Sequence, residues 1–369
     1  MSKRNSSIEL LKIFAMLIIT IFHVTLTVNL TKNDYFSQLP WALTYKKAQP
    51  GLEKMMILIC RYLGIIGNHI FIVCSAWFLC RQDETKPRKI AGLYFNAMII
   101  SVAWLFAVSR LFPHVQISEK TIISCIFPVW KGENWFITCY VIVYFIHAGL
   151  NAMLKNISKE QHAIAVIVSF FIYCIIGIIE QRYYGNNLVI FITVYILVAY
   201  IRYHGKVSVK KGFLLLLIGL GGMIILVGQN VLKQPMLSKT RDVFYWAKEA
   251  NPFGVIVALG LFEIANGFEF HNRLINLMSS VSIIYYLIHE NTWVRNILRP
   301  LLWGYYSLHF ERWSFPVRFM TFSAAFFAVS MIASLLYRLI TRRAVGFLSG
   351  LSCKVSGKLW RLLYRNLLE

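Results

Sequence analysis

Apolar residues along this chain neither alternate nor return only every third or fourth position; they run on for lengths that a buried core helix does not need. A helix requires about 20 apolar residues to cross the hydrocarbon of a bilayer. Ten stretches reach or approach that length, at 8–29, 57–79, 90–112, 134–154, 163–180, 188–203, 212–232, 252–268, 274–290 and 317–340. The sixth and ninth are the weakest. The first follows Lys3 and Arg4 as a signal peptide would. It is longer than an ordinary h-region of about 7–15 residues and lacks a small-residue cleavage site, so it reads as an uncleaved first span. The pattern predicts an all-α, polytopic membrane bundle of about ten transmembrane helices, with both termini on one side.

Composition agrees. Of 369 residues, 58% are hydrophobic and 15% charged, where an ordinary soluble domain carries about 25% charged residues; the mean hydropathy is +0.60. Disorder, a coiled coil and a disulfide-knit secreted domain are excluded. The net charge of +22 would suggest nucleic acid in a soluble protein, but no basic run forms a nucleic-acid-reading module, and no nucleic-acid partner is expected. Lys and Arg instead flank the apolar runs, where they anchor helix ends and set orientation. They crowd into short links at Arg81, Lys86, Arg88 and Lys89 and at Arg202, Lys206, Lys210 and Lys211, which predicts N-terminus and C-terminus inside.

The other links, at 30–56, 113–133, 233–251 and 291–316, are longer and rich in aromatics, including Trp41, Trp130, Trp246, Trp303 and Trp313. They read as outer loops or as an interfacial aromatic belt. The chain divides into a membrane domain at 1–340 and a basic, amphipathic cytoplasmic tail at 341–369 that suits an anionic inner leaflet. Seven cysteines without a C-x-x-C pair argue against a metal site or a disulfide framework. Cys60, Cys74, Cys80, Cys125, Cys139 and Cys174 read as small hydrophobes. No internal repeat supports a repeat-built transporter.

Ionisable groups inside spans are costly, so each is a functional candidate. In the first span Lys12 and His23 are eleven positions apart, about 1100° of rotation and about 16 Å of rise, which places them within about 20° of one face. The plainer reading is that Lys12 snorkels and His23 sits at the outer interface. In the second span Asn68, His69 and Ser75 interrupt NHIFIVCSAWFLC, and Ser75-Ala76 could simply permit close helix packing. The fourth span opens with Glu133, Asn134 and Trp135. The ninth ends with Tyr285 and His289 on one face and Glu290 next. His23, His289 and Glu133 then fall at similar outer depth.

RNSSIELLKIFAMLIITIFHV resembles the opening span of the acyltransferase-3 family of integral membrane acyltransferases, marked by a basic residue, ten residues and a His, which Lys12 and His23 match. NHIFIVCSAWFL is similar to the family's Phe-rich stretch, with Ala76 in place of Gly. NWFITCYVIVYFIHAGLN is similar to its Trp-Phe helix, and SSVSIIYYLIHENTWVRNILRPLLW to the late Tyr-Leu-Ile-His helix of its polysaccharide-modifying members. The likeness runs in order over about residues 5 to 340.

The resemblance implies a multi-pass protein of the bacterial plasma membrane that acetylates a sugar hydroxyl in a cell-surface polysaccharide or lipid-linked glycan. Acetyl-CoA would be the donor substrate, with no permanently bound cofactor and no metal. His23 would be the base, an imidazole being able to take and return a proton near neutrality. Lys12 would meet the CoA phosphates, although Lys supplies a point charge where Arg supplies a fork. Glu133, Asn134, Trp135 and His289 would line the acceptor side, with His69 and Ser75 as further candidates. A rival reading, a transporter of a glycan or small anion, uses the same spans and polar residues.

The orientation has a direct check. With the native cysteines replaced, a cysteine at Ser118 should react with an impermeant thiol reagent on intact cells and one at Ser208 should not; the reverse pattern would overturn it.

Overall fold

The computed structural model describes residues 5–28, 49, 51–129, 134–180, 185–233 and 246–368. All regular structure among them is helical: α1 Ser6–Val28, α2 Leu52–Leu79, α3 Pro87–Leu111, α4 Glu119–Ile126 and α5 Trp135–Lys155. Next come α6 Lys159–Ile179, which widens into a π-helical turn at Phe171–Ile176, α7 Asn187–His204, α8 Val209–Lys233 and α9 Pro252–Asn266. The chain ends in α10 Arg273–Ser279, α11 Ser282–His289, α12 Arg299–His309 and the long α13 Phe315–Leu368.

Eight of these helices, namely α1, α2, α3, α5, α6, α7, α8 and α13, are long and apolar enough to cross a membrane. The eighth expected span is the shorter α9. The ninth is no single helix but the pair α10 and α11, broken at Ser280 and Val281. The stretch 291–316, expected as an outer loop, is a correction: it folds into a π-helical turn at Val294–Leu298 followed by α12, and Trp303 is buried against Phe315, Phe319 and Phe322. The basic tail is continuous with the last span as α13.

Helix starts follow their capping chemistry. Ser158 forms a reciprocal capping box with Gln161 at α6. Asn186 accepts from Leu188 and Val189 at α7, and Asn272 from Leu274 and Ile275 at α10. Asn251 is fully buried, accepts from the backbone N–H groups of Phe253 and Gly254, and precedes a proline. It satisfies the first turn of α9 from within the protein.

One end of the bundle is tied by polar contacts between its short basic links. Asn151 donates to the carbonyls of Leu79 and Gln82, Lys155 pairs with Asp83, and Lys211 reaches Glu263 at 2.7 Å. Ser6 N–H bonds the carbonyl of Phe270 at 2.9 Å, so the N-terminus belongs to this basic end. Around the bundle, Phe145, Ile167, Leu217, Ile224, Val329 and Ile332 point outward uncovered, the arrangement expected where lipid is the solvent.

At the centre α1 lies against α2. A Cβ at Gly64 would meet Phe22 at 2.2 Å, and one at Gly67 would meet Ile19 at 2.7 Å and the Ala15 carbonyl oxygen at 3.0 Å. Glycine is what lets the backbones approach this closely. The α1 backbone cannot swing aside as a side-chain end can, so Gly67→Leu should destabilise the protein by about 1–3 kcal/mol, read as a lower melting temperature in detergent. Gly149→Leu on α5, where a Cβ meets nothing within 4 Å, is the control and should melt with the parent protein.

Candidate active site

Three segments converge on a buried polar cluster: the outer third of α1, the end of α11, and the start of α12. His23 Nδ1 lies 2.9 Å from His289 Nε2 and 3.1 Å from Glu290 Oε2. His289 Nδ1 lies 2.9 Å from the Tyr285 carbonyl oxygen. That carbonyl can only accept, so in a neutral ring His289 carries its proton on Nδ1 and presents Nε2 as an acceptor. His23 therefore donates from Nδ1, to His289 and to the Glu290 carboxylate. Its Nε2 keeps the lone pair.

The carboxylate is held in turn. Arg299, with no exposed surface, donates from Nη1 to Glu290 Oε2 at 3.0 Å and from Nε to Thr27 Oγ1 at 2.7 Å, while Arg295 Nη1 stands 3.7 Å from Glu290 Oε1. Arg299 Nη2 is buried without a hydrogen-bond partner among the described residues, a donor left over for something that enters. Tyr285 is fixed below: Thr20 donates its hydroxyl proton to the Met16 carbonyl at 2.8 Å and so accepts from the Tyr285 hydroxyl. The Tyr285 ring packs on His289 with centroids 4.6 Å apart.

The chain around the cluster makes this possible. Nine positions on an unbroken α-helix turn through about 900°, which would put Glu290 and Arg299 on opposite sides. The helix instead stops at His289, and the wide π-helical turn at Val294–Leu298 brings α12 back with Arg299 facing the carboxylate. π-Helical turns commonly sit at functional sites.

Two cavities adjoin. Asn291, next in the chain to Glu290, lines one of about 20 Å³ together with Ser101, Thr121, Ser124, Asn134 and Trp293. Hydroxyl and amide side chains contribute to its wall, and it lies away from the basic end. The other, about 30 Å³, is lined by Ile19, Asn68, Phe71, Phe136, Ile283 and Tyr286 and is largely apolar.

The expected site residues distribute unevenly. His23 and His289 come together, and Asn134 reaches the polar cavity. Trp135 is half-buried and packs edge-on against Phe136. Glu133 lies outside the described residues. Lys12 pairs with Glu9 at 2.7 Å, so a phosphate would have to displace that carboxylate. His69 is fully buried and donates from Nε2 to the Glu249 carbonyl at 2.8 Å, tying the segment before α9 to α2. Ser75 sits half-buried six residues further along α2, with Ala76 packed in the core beside it.

His23, His289 and Glu290 offer ligand atoms within 4.8 Å of one another, the spacing of a metal site. Their geometry is nevertheless that of a hydrogen-bond chain, and a divalent cation on Glu290 would meet the buried Arg299 guanidinium. The model of the acyltransferase-3 domain family, described as an acyltransferase domain, matches residues 5–337. The chain belongs to the acyltransferase-3 family. No curated protein and no solved structure matches it. It is therefore a multi-pass membrane acyltransferase, and the cluster supplies what acyl transfer demands: a base, an acid that orients it, and a buried cation.

Sequence reasoning reached His23 and His289 but left Glu290 at the rim and Arg299 among outer-loop cations. The signal for both was the interruption of an apolar run by Glu and Arg on either side of a stretch that does not keep helical phase.

Removing Arg299 strands Glu290. Arg299→Leu in this acyltransferase should cost about 3–5 kcal/mol of stability, measured by thermal unfolding in detergent. Glu290→Gln leaves the Arg299 charge uncompensated but keeps an oxygen for it and for His23, so it should cost less stability than Arg299→Leu by the same measurement, with acyl transfer by the folded protein reduced by about two orders of magnitude or more. A Glu290→Gln protein of normal activity would remove the carboxylate from the machinery.

Proposed function

We propose that this acyltransferase moves an acetyl group from acetyl-CoA to a sugar hydroxyl of a cell-surface polysaccharide or its lipid-linked precursor in the bacterial plasma membrane. The observation that carries the reading is the ordered chain Arg299–Glu290–His23, which leaves His23 Nε2 as the basic atom. The same logic operates wherever a carboxylate fixes the tautomer of a catalytic imidazole.

In the proposed step the acceptor hydroxyl oxygen attacks the thioester carbonyl carbon while His23 Nε2 takes the hydroxyl proton. The C–S bond breaks, the C–O ester bond forms, and the imidazolium returns the proton to the departing thiolate, giving ester and free thiol. Glu290 stabilises the imidazolium between the two transfers, and the spare Arg299 Nη2 suits the oxyanion of the tetrahedral intermediate. The hydroxyl and amide lining contributed by Ser101, Thr121, Ser124, Asn134 and Asn291 suits a polyhydroxylated acceptor. With the N-terminus inside, that cavity opens toward the outer face.

The test compares glycans from cells carrying the parent protein, His23→Ala, and no protein. His23→Ala should reach the membrane at normal level yet give the ester-acetyl NMR signal of the deletion. Unchanged acetylation would end the role of His23. Equal acetyl content with less polysaccharide at the surface would instead identify a glycan exporter.

A further inference from the structure

A second chamber opens at the basic end, between α3, α5 and the break separating α10 from α11. It has a volume of about 270 Å³ and is lined by Lys89, Asn96, Tyr140, Tyr144, Ser280 and Ile283 among others. Lys89 Nζ lies 4.5 Å from the centroid of the Tyr144 ring and 5.9 Å from that of Tyr140, and among the described residues it has no carboxylate partner. On the opposite wall Ser280 receives a hydrogen bond from Arg338 of α13, another cation without a carboxylate among the described residues. The N-terminus of α3, with Lys86, Pro87 and Arg88, adds two more cations and the positive end of a 25-residue helix to the same rim. Lys12, by contrast, is neutralised by Glu9.

The chamber leads inward. Ile283 lines both it and the apolar cavity that contains Ile19 and Tyr286. The Tyr286 ring lies 5.9 Å from that of His289. From Ile283 to His289 is six residues of chain, about 9 Å along a helix.

We infer that this chamber is the donor site: the phosphates of acetyl-CoA are held at its mouth by Lys89 and Arg338, and the pantetheine arm runs past Ile283 to bring the thioester to His23. The inference rests on the acyl-CoA reading above. The chemistry of the walls follows the chemistry of the ligand. Cations and the positive end of α3 stand where the nucleotide's negative charge would be. The Asn96 amide and the Tyr140 hydroxyl stand where the arm has its two amides, and aliphatic and aromatic surface stands where it is methylene.

The test uses purified protein in nanodiscs and two donors that share the arm and the thioester, acetyl-CoA and S-acetylpantetheine, which lacks the nucleotide. In Lys89→Glu and Arg338→Glu the KM for acetyl-CoA should rise about tenfold or more, as loss of a charge-assisted contact implies, with kcat at saturation and the KM for S-acetylpantetheine unchanged. Calorimetric binding of acetyl-CoA, which needs no acceptor, should weaken by the same factor. Equal loss with both donors, or no change with either, would overturn the assignment, and so would weakened acetyl-CoA binding in Lys12→Ala but not in Lys89→Glu. Parent protein that binds acetyl-CoA through Lys89 but transfers nothing would leave the chamber in place and remove the proposed function instead.

Discussion

Charge held inside hydrocarbon is the constraint around which this bundle is built. A lone carboxylate there is prohibitively costly, and a buried pair stands only with good geometry and further hydrogen bonds. Glu290 has both: Arg299 on one side and His23 on the other, with Thr27 accepting from Arg299 Nε and the Tyr285 carbonyl from His289. Much of the local architecture serves that arrangement. The ninth span is cut into pieces, a π-helical turn resets the phase of the chain, and glycines on α2 draw α1 in close enough for His23 to reach across. The site is therefore also a structural keystone.

Most of the fold was legible because lipid imposes a coarse rule. Uninterrupted apolar length reports a crossing whatever the tertiary context, and nine of the ten expected runs correspond to continuous helices here, from Ser6–Val28 to the first half of Phe315–Leu368. The site was legible only in part. His23 and His289 stand out as imidazoles within apolar runs. Arg299 does not, because hydropathy assigns a charged, aromatic-rich stretch to water, and only three-dimensional packing shows that Trp293, Ile297, Arg299 and Trp303 are all buried. The pairing of Glu290 with Arg299 contradicts regular helical phase, so no periodicity argument could have found it. Lys12 shows the converse: spacing selected it, but Glu9, one turn earlier, is the partner that the spacing did not weigh.

The three cavities divide by chemistry along the membrane normal. Amide and hydroxyl groups line the one beside Asn291, apolar side chains the one beside Tyr286, and cations rim the one beside Ser280. Under the proposed function, a hydroxylated acceptor and an acyl-CoA donor would meet at His23, between the polar and the apolar cavity, and neither would have to cross the bilayer.

α13 is 54 residues long without interruption, about 81 Å at the ordinary rise per residue, against a hydrocarbon layer of about 30 Å. Such a rod cannot end at the membrane surface. It touches the bundle through Arg338 at Ser280, and a few turns later the Gly346 carbonyl accepts from Arg88 at the head of α3. Both contacts frame the basic chamber. The tail is thus tied to that rim at two points and extends well beyond it.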